Sequence, residues 1–362
     1  MRLDRPTRLL AATALLLAAG CGAETTTVES AAPDGTRTAN GLVKCPDPSS
    51  CTLSNGIGVY YAEDGFAGLD DKLMLLITHF DNHEKDVTFE GRYFDSDLGQ
   101  WKNLPTSGLV DAGIYGNVEW NVIAVHVDAA WASFTLQSRK DPSITVEVKQ
   151  KDLRNLTLRL RIENPMLRGK LAFYLLQFTA ITVENHVVSY MPEWRPDSFG
   201  TKWKPYCLDP KGNPDNASFQ EAIQVDPVDG TINYGGDAPY SVTFSCRLGA
   251  PVTCQEWGYD PMKYQWHFPS CIHMKRASYC GDQNAFTYSG TKLVVADSEG
   301  VWTDKIDKTN VEAEWSPKGA VCVTAPRHPM LGYNFMCNGS PMPKCPDPLI
   351  SGNIDYLISG NP

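Results

Sequence analysis

The stretch Cys271-Ile-His-Met-Lys-Arg-Ala-Ser-Tyr-Cys280-Gly-Asp-Gln lies at the centre of the segment that decides the fold of the C-terminal half. That wider segment, Cys254 to Cys322, interleaves cysteines with large aromatic side chains. Such a composition is typical of either a disulfide-stabilised module or a metal site. The aromatic side chains are those of Trp257, Tyr259, Tyr264, Trp266, Tyr279, Trp302 and Trp315.

The cysteine count favours disulfides. The chain has 11 cysteines, and ten remain when Cys21, near the N-terminus, is set aside. An even number of cysteines in an exported protein predicts five disulfides, and proximity alone suggests that Cys45 pairs with Cys51. The pairing of the other eight is left open by the sequence. The ten candidates are Cys45, Cys51, Cys207, Cys246, Cys254, Cys271, Cys280, Cys322, Cys337 and Cys345.

Two alternatives give these cysteines a chemical role. A zinc site could use Cys271 and His273 with Cys280 or Cys254, and also His267, but Cys-x-His followed by a long gap departs from the close Cys-x2–4-Cys or His-x3–5-His pairs that zinc sites usually use. A nucleophilic thiol could pair Cys280 with His267, His273 or His328 as a base, but it would have to be unpaired. We therefore predict no metal site and no cofactor.

Carboxylates offer two further alternatives. Glu256, Asp260 and Asp282 lie near aromatic residues that could stack on a sugar, and glycosidases need two carboxyl groups about 5 to 9 Å apart. Calcium could be bound by Asp209-Pro-Lys-Gly-Asn-Pro-Asp215 or by Asp95-Ser-Asp97, but neither follows the EF-hand order. Turns are the favoured interpretation of both acidic segments.

Four blocks of this region resemble the ADYC domain of bacterial exported proteins. They are Cys254-Gln-Glu-Trp-Gly-Tyr259, Cys271-x-x-Met-x-Arg-Ala-Ser-Tyr-Cys280-Gly-Asp282, Thr287-x-x-Gly-Thr291 and Glu314-Trp-Ser-Pro-Lys-Gly-Ala-Val-Cys322. The resemblance covers about residues 203–345, and Ser278 stands where the name motif has Asp. It implies an architecture and an extracytoplasmic location, not a reaction.

The N-terminus is typical of an export signal. Arg2, Arg5 and Arg8 precede an apolar run from Leu9 to Ala19, which is too short to span a bilayer. Small residues then lead to Cys21, as in the lipobox of bacterial lipoproteins. We predict a signal peptide over 1–20 and a lipidated Cys21 that opens a flexible tether over 21–44. Gly22 favours the outer membrane, and secretion as a soluble protein is the alternative.

The charge of the chain limits its partners. The formal net charge is −10, and removal of residues 1–20 makes it about −12. A chain this acidic repels nucleic-acid phosphates, so we expect no nucleic-acid binding. We likewise expect membrane contact through the lipid anchor only.

The length of the chain predicts two domains. No cysteine lies between Cys51 and Cys207, so we place an antiparallel β-sandwich-like domain at 45–195 and a loop-rich, disulfide-stabilised β domain with little helix at 196–362. Strict alternation of apolar and polar residues predicts strands over Val87–Tyr93, Ser143–Lys149 and Asn155–Glu163. Other predicted strands are Ile57–Ala62, Leu73–Phe80, Val118–Val127, Ala132–Ser138, Ile181–Tyr190, Tyr240–Cys246 and Thr291–Ala296.

Two segments are less clear. The pattern Ser218-Phe-Gln-Glu221 fits a capping box and predicts a short helix to about Gln224. Apolar residues in Leu167–Phe178 fit either a strand or one face of a helix.

Three functions remain open at this point. The first is a surface that binds a glycan, peptide or protein by stacking on Trp257, Tyr259 and Trp266, and the second is a structural role in the envelope. The third is an extracytoplasmic hydrolase with its site in the ADYC-like domain. Against stacking, large aromatics of small disulfide-rich domains also build cores, and we predict that Trp257 is the more buried of the two tryptophans.

Overall fold

A computed structural model describes residues 37–39, 75–95, 100–128, 131–164, 170–184, 187–208, 213–221, 223–225, 232–234, 241–247, 249–281, 286–287, 291–307, 309–327, 336–346 and 357–361. Cys21, Cys45, Cys51, Asp282, His328 and the strand predicted at Ile57–Ala62 lie outside these ranges. Asp34–Pro362 forms one compact unit. Within the described ranges, no helix has the length and apolar character needed to cross a membrane.

The described chain is mainly β, as predicted. The first strands are β1 (Arg37–Ala39), β2 (Leu75–Asn82), β3 (Val87–Asp95), β4 (Gln100–Asn103), β5 (Gly108–Tyr115), β6 (Val118–Asp128), β7 (Trp131–Ser138), β8 (Thr145–Lys149), β9 (Leu156–Asn164), β10 (Lys170–Glu184), β11 (Val187–Pro196) and β12 (Lys204–Pro205). The others are β13 (Cys207–Leu208), β14 (Pro214–Asp215), β15 (Ala217–Glu221), β16 (Ile223–Val225), β17 (Ile232–Tyr234), β18 (Ser241–Cys246), β19 (Thr291–Asp297), β20 (Val311–Ser316), β21 (Gly319–Val323), β22 (Met336–Cys337), β23 (Ser340–Pro341) and β24 (Leu357–Gly360). Helices are α1 (Ala250–Glu256), α2 (His267–Arg276) and a 3-10 helix at Gln150–Asn155.

Eight antiparallel strands close into a barrel in the order β3-β2-β18-β15-β11-β10-β9-β5. The closing contact is short, because β3 and β5 pair only at Thr88 with Leu109 and Phe89 with Gly108. Strands β6, β7 and β8 extend the sheet beyond β5, and β4 extends it beyond β3. The predicted sandwich is therefore corrected to a barrel, since alternation in a strand cannot show whether its sheet closes on itself.

Aromatic side chains fill the barrel. Phe219 lies at the centre, with ring centroids 4.8 Å from Phe244, 5.2 Å from Tyr190 and 5.6 Å from Phe178. The extension packs against the same core, because Phe134 of β7 meets Phe219 edge to face at 6.0 Å. The interior is thus a packed core and not a channel.

A second core lies in the part of the chain that follows the barrel. Five strands form an antiparallel sheet in the order β1-β19-β24-β20-β21, and helix α2 packs against it. The core joins α2 side chains such as Phe268 and Ile272 to Val295 and Trp315 of the sheet. Every residue of α2 is buried, so the helix lacks the polar face by which a sequence pattern would reveal it.

The two cores divide the chain at a different place from the predicted boundary. Strands β15 and β18 complete the barrel, although both follow residue 196, and the second core begins at Ala250. The reappearance of cysteines at Cys207 therefore does not mark the end of the barrel. Within the predicted tether, Arg37–Ala39 pairs with β19. An edge strand can take up such a segment through backbone hydrogen bonds alone, which composition does not reveal.

Two local predictions are corrected. The segment with the capping-box pattern forms strands β15 and β16 instead of a helix, because Phe219 and its neighbours are needed in the barrel wall. The strand predicted over Ile181–Tyr190 is two strands, since β10 ends at Glu184 and β11 begins at Val187. Of the ambiguous segment Leu167–Phe178, the described residues from Lys170 onward belong to β10.

Candidate functional site

The loop between the two helices carries the three aromatic residues proposed for stacking. Tyr259 is fully buried, Trp257 is partly buried and packs against the second core, and Trp266 is 58% exposed. Met262, on the same loop, is 52% exposed. The structure therefore removes Tyr259 from the set of possible ligand contacts and leaves Trp266 as its most accessible member.

The loop is held at both ends. A disulfide joins Cys254 of α1 to Cys271 of α2. Trp302 Nε1 donates a hydrogen bond of 2.6 Å to the carbonyl of Trp257, where α1 ends. At the other end, the Ser270 hydroxyl donates to the Trp266 carbonyl at 2.6 Å.

A turn in the middle of the loop presents Met262. The carboxylate of Asp260 accepts hydrogen bonds from the backbone amides of Met262 at 2.8 Å and Lys263 at 3.2 Å. Lys263 Nζ donates to the Tyr264 hydroxyl at 2.8 Å and lies 4.6 Å from the centre of that ring. Asp260 is thus used as a turn-forming residue, which argues against its role as a catalytic acid.

Stacked rings support the loop from below. The Tyr259 and His267 rings are parallel, with centroids 6.1 Å apart, and Tyr264 meets both of them edge-on. The Tyr259 hydroxyl donates to Asp297 at 2.7 Å. Asp297 also accepts hydrogen bonds from the backbone amides of Val301 and Trp302, so it ties the loop to the end of β19.

We call the exposed side chains of Met262, Lys263 and Trp266, with the partly buried Tyr264, the Trp266 surface. It combines one indole, one thioether and one ammonium group on a cross-linked loop. Groups of this kind can stack on a flat ligand and donate hydrogen bonds to it. Their fixed support lowers the ordering cost of binding.

The disulfides settle the thiol chemistry of the described cysteines. They join Cys207 to Cys246, Cys254 to Cys271, Cys280 to Cys337 and Cys322 to Cys345. Cys280 is therefore not a free nucleophile, and none of these sulfurs is a thiolate ligand for zinc. His273 Nε2 lies 3.1 Å from the Pro317 carbonyl, as expected for a structural hydrogen bond. No group of three or more potential metal ligands occurs among the described residues.

The remaining carboxylate candidate, Glu256, is paired with a base. Arg247 Nε donates to Glu256 at 2.8 Å, and partial burial raises the pKa of this carboxyl group in spite of the arginine. Of the calcium candidates, Asp215 lies at the end of β14 and accepts a hydrogen bond from the amide of Asn216, while Asp97 and Asp209 lie outside the described residues. A separate pocket of 490 Å³ is lined by Ile114, Tyr115, Gly116, Asn117, Asn155 and Thr157, and this lining has no acid or imidazole.

A buried ionic network, which the sequence did not reveal, lies behind the Ala-Ser-Tyr-Cys block. Arg327 makes a two-pronged contact with Glu312 at 2.6 and 2.7 Å, and both side chains are shut off from solvent. The Tyr279 hydroxyl donates to the same carboxylate at 2.6 Å, and Ser359 donates at 2.7 Å. Arg327 also donates to Thr287 at 2.9 Å. Full burial makes this network a structural element and not a substrate site.

Two of the sequence blocks meet backbone to backbone. Ala277 ends α2 with a φ of 53°, and the amide of Ser278 then bonds to the His273 carbonyl. Gly281 and Gly319 have φ values of 66° and 106°, and a Cβ on Gly281 would lie 2.0 Å from the Lys318 carbonyl oxygen. Only glycine permits this approach, so the Cys280-Gly pair and the Lys318-Gly pair are required together.

A family model described as the ADYC domain matches residues 143–329, just over half of the 362-residue chain. The chain belongs to the ADYC domain family. The ADYC match begins at residue 143, not near 203, and ends before the expected limit of 345. It therefore includes five barrel strands, β9, β10, β11, β15 and β18, as well as both helices and Arg327.

The part of the chain before the ADYC match has no family match. No curated protein and no solved structure matches the chain.

Proposed function

We propose that this ADYC protein is an exported, lipid-anchored protein of the bacterial cell envelope that binds a ligand through the Trp266 surface. The observation that carries the proposal is the 58% exposure of Trp266 on a loop fixed by the Cys254–Cys271 disulfide. A large aromatic side chain held in solvent on rigid support is a common feature of binding sites. The four described disulfides are in keeping with an oxidising compartment outside the cytoplasm.

The proposed cellular location is supported by the N-terminal sequence. An apolar run after three arginines and the small residues before Cys21 support cleavage of residues 1–20 and lipidation of Cys21. Gly22 after this cysteine supports the outer membrane as the destination. On this proposal, the membrane is reached through the acyl chains and the folded part faces its ligand.

A glycan is the ligand class that fits the Trp266 surface best. The indole of Trp266 offers a flat face to the CH groups of a sugar ring. Lys263 and Gln265, which are exposed on the same loop, can hydrogen-bond to sugar hydroxyls or acetamido groups. Peptide and protein ligands are the other outcomes of the test below.

The test uses peptidoglycan sacculi, which carry both glycan and peptide. Wild-type protein should co-sediment with sacculi, and Trp266→Ala should reduce the bound fraction at least about tenfold if the ring is a binding hot spot. Phe199→Ala is the matched control, because it removes another exposed aromatic ring at a different place. Digestion of the sacculi with a glycan-cleaving enzyme separates a glycan ligand from a peptide ligand.

Two results would contradict the proposal. One is equal binding to sacculi by wild type and Trp266→Ala, and the other is no binding to sacculi by the wild type. The free energy of unfolding of Trp266→Ala should also lie within about 0.5 kcal/mol of the wild-type value, as expected for a surface substitution. A large loss of stability would mean that Trp266 is a core residue.

A hydrolase is the second candidate, favoured by one observation. Ser298 Oγ lies 3.4 Å from Nε2 of His267, which directly follows Trp266 in the chain. The distance exceeds the usual 2.6 to 3.2 Å between a nucleophile and its base. Asp297 is engaged by Tyr259 and two backbone amides, so it is poorly placed to orient His267. Release of soluble fragments from sacculi by the wild type, lost in Ser298→Ala, would support this candidate.

A further inference from the structure

A second exposed apolar cluster lies on the outer wall of the barrel. Phe199 is fully exposed, Leu171 is 58% exposed and Phe173 is 38% exposed. These are three of the nine large apolar side chains that the described residues leave in solvent. Leu171 and Phe173 point outward, because they alternate along β10 with Tyr174, which is buried in the barrel core.

The turn that carries Phe199 is joined to the same part of β10. The last pair between β10 and β11 is Tyr174 with Pro196, and the Asp197 amide then donates to the Phe173 carbonyl at 2.9 Å. The turn therefore begins beside Phe173, and the chain then reverses and returns along β11, where Lys204 pairs with Trp194. We call Leu171, Phe173 and Phe199 the Phe199 patch.

Hydrogen bonds give this turn a defined shape. The Thr201 hydroxyl lies 2.8 Å from the carbonyl oxygens of both Pro196 and Ser198. Arg159 Nε donates to Asp197 at 2.8 Å, which fixes the start of the turn to β9. Gly200 supplies the left-handed backbone, with a φ of 82°. Phe199 is thus held outward by its supporting turn.

Basic side chains lie on the segments that carry the patch. Lys170 and Lys202 are exposed. Arg195 lies 4.9 Å above the Trp203 ring, and Lys204 lies 5.6 Å above the Trp194 ring. The acids of these segments are fewer: Asp197 is paired with Arg159, while Glu163 and Glu193, which accepts a hydrogen bond from Gln177 at 2.9 Å, keep their charge. A cationic region has therefore been retained in a chain whose net charge is −10.

We propose that the Phe199 patch docks on the surface of an anionic lipid bilayer. Apolar side chains at the tip of a turn, flanked by Lys and Trp, match the chemistry of the membrane interface, where rings enter the acyl boundary and ammonium groups meet lipid phosphates. The net charge of the chain predicts repulsion from such a surface. Electrostatic interactions decay within a Debye length, however, so the charges nearest the lipid decide whether the patch is attracted. The contact does not depend on the acyl chain at Cys21 or on the Trp266 surface.

The test uses residues 22–362, the proposed mature chain without Cys21, so that no acyl chain contributes. Vesicles are made of phosphatidylcholine alone or of phosphatidylcholine mixed with phosphatidylglycerol. We expect co-sedimentation with the anionic vesicles and a loss of at least about tenfold in partitioning for Phe199→Ser. Lys202→Gln should weaken binding about fivefold and reduce its salt dependence.

Matched controls make the test specific. Trp266→Ala removes an exposed ring outside the patch and should leave vesicle binding unchanged, so failure of the membrane contact is separable from failure of the binding function. Equal binding to both vesicle types, no binding to either, or binding that Phe199→Ser leaves intact would overturn the proposal. Self-association of the lipid-free protein that is abolished by Phe199→Ser would also overturn it, by assigning the patch to a second copy of the chain.

Discussion

Both partners of the Arg327–Glu312 salt bridge are fully buried, so the protein stays stable only while both are present. Removal of one partner leaves an uncompensated charge in the core. We expect Arg327→Met to lower the free energy of unfolding by about 3 to 5 kcal/mol. The loss is expected to be large because the pair is buried; an exposed ion pair contributes about 1 kcal/mol or less.

The comparison uses denaturant unfolding with a surface control. Arg159→Met breaks contacts with Asp197 and Glu119 on the barrel exterior, where the arginine is 22% exposed, and should cost far less. If Arg327→Met costs no more than Arg159→Met, the network does not stabilise the second core as described.

Lys275 predicts an unusual dependence of stability on pH. Burial lowers the pKa of its ammonium group to about 7, with partial opposition from Glu256. The pKa of an unfolded lysine is about 10.4, so between these values the unfolded chain binds the additional proton. The free energy of unfolding should therefore rise with pH above about 7, by at most about 1.4 kcal/mol per pH unit.

Lys275→Met isolates this contribution. The variant should be more stable than wild type at pH 6 to 7, and its advantage should shrink as the pH approaches 9. Unfolding in urea at several pH values measures the difference. Parallel curves for the two proteins from pH 7 to 9 would show that Lys275 keeps an ordinary pKa.

At the scale of elements, α1 and α2 depend on their disulfide. The two helices have seven and ten residues, and isolated helices of this length are unstable in water. Replacing both Cys254 and Cys271 by Ala should cost about 2 to 4 kcal/mol, because the bridge restricts the unfolded chain by closing a loop with a sequence separation of 17. It should also weaken sacculus binding, since the Trp266 surface lies between these cysteines.

The barrel disulfide is the control for that experiment. The double variant of Cys207 and Cys246 to Ala should lower stability by a similar amount without affecting sacculus binding at a temperature where it stays folded. Equal loss of binding in both double variants would mean that the Trp266 surface has no special need of its own bridge.

The sequence predicted the barrel strands that have one buried and one solvent-exposed face. In β9, Leu158, Leu160 and Ile162 are buried while Thr157, Arg159 and Arg161 are more exposed, and this alternation is visible in the sequence. Helix α2 was missed because His273, Lys275 and Arg276 are buried together with the apolar residues, which removes the helical period. Barrel closure depends on two residue pairs between β3 and β5, and no local pattern records them.

The candidate site was predicted in part for the same reason. Disulfides and the aromatic loop follow from composition, whereas the exposure of Trp266 and the burial of Tyr259 depend on how the loop packs at the end of β19. The ionic network joins Tyr279, Glu312 and Arg327, which are 15 to 48 residues apart. Spacing in the sequence carries no sign of such a contact.

At the scale of the whole molecule, the proposed location in the cell envelope is tested by substitution of Cys21. Replacing Cys21 by Ala should abolish lipidation and release the protein from the acyl-dependent membrane fraction, because no thiol remains to accept the lipid. Cell fractionation and mass spectrometry of the mature N-terminus give the readout. Wild-type protein that carries no lipid mass and is already soluble would contradict the lipoprotein proposal.

The central claim is that Trp266 is the ligand contact of this ADYC protein, and radical footprinting with and without sacculi tests it most directly. In the free protein, Trp266 should oxidise readily, while Trp315, which is buried, should be protected. Sacculi should protect Trp266 and leave the fully exposed Phe199 as reactive as before. Equal oxidation of Trp266 with and without bound sacculi would contradict the claim.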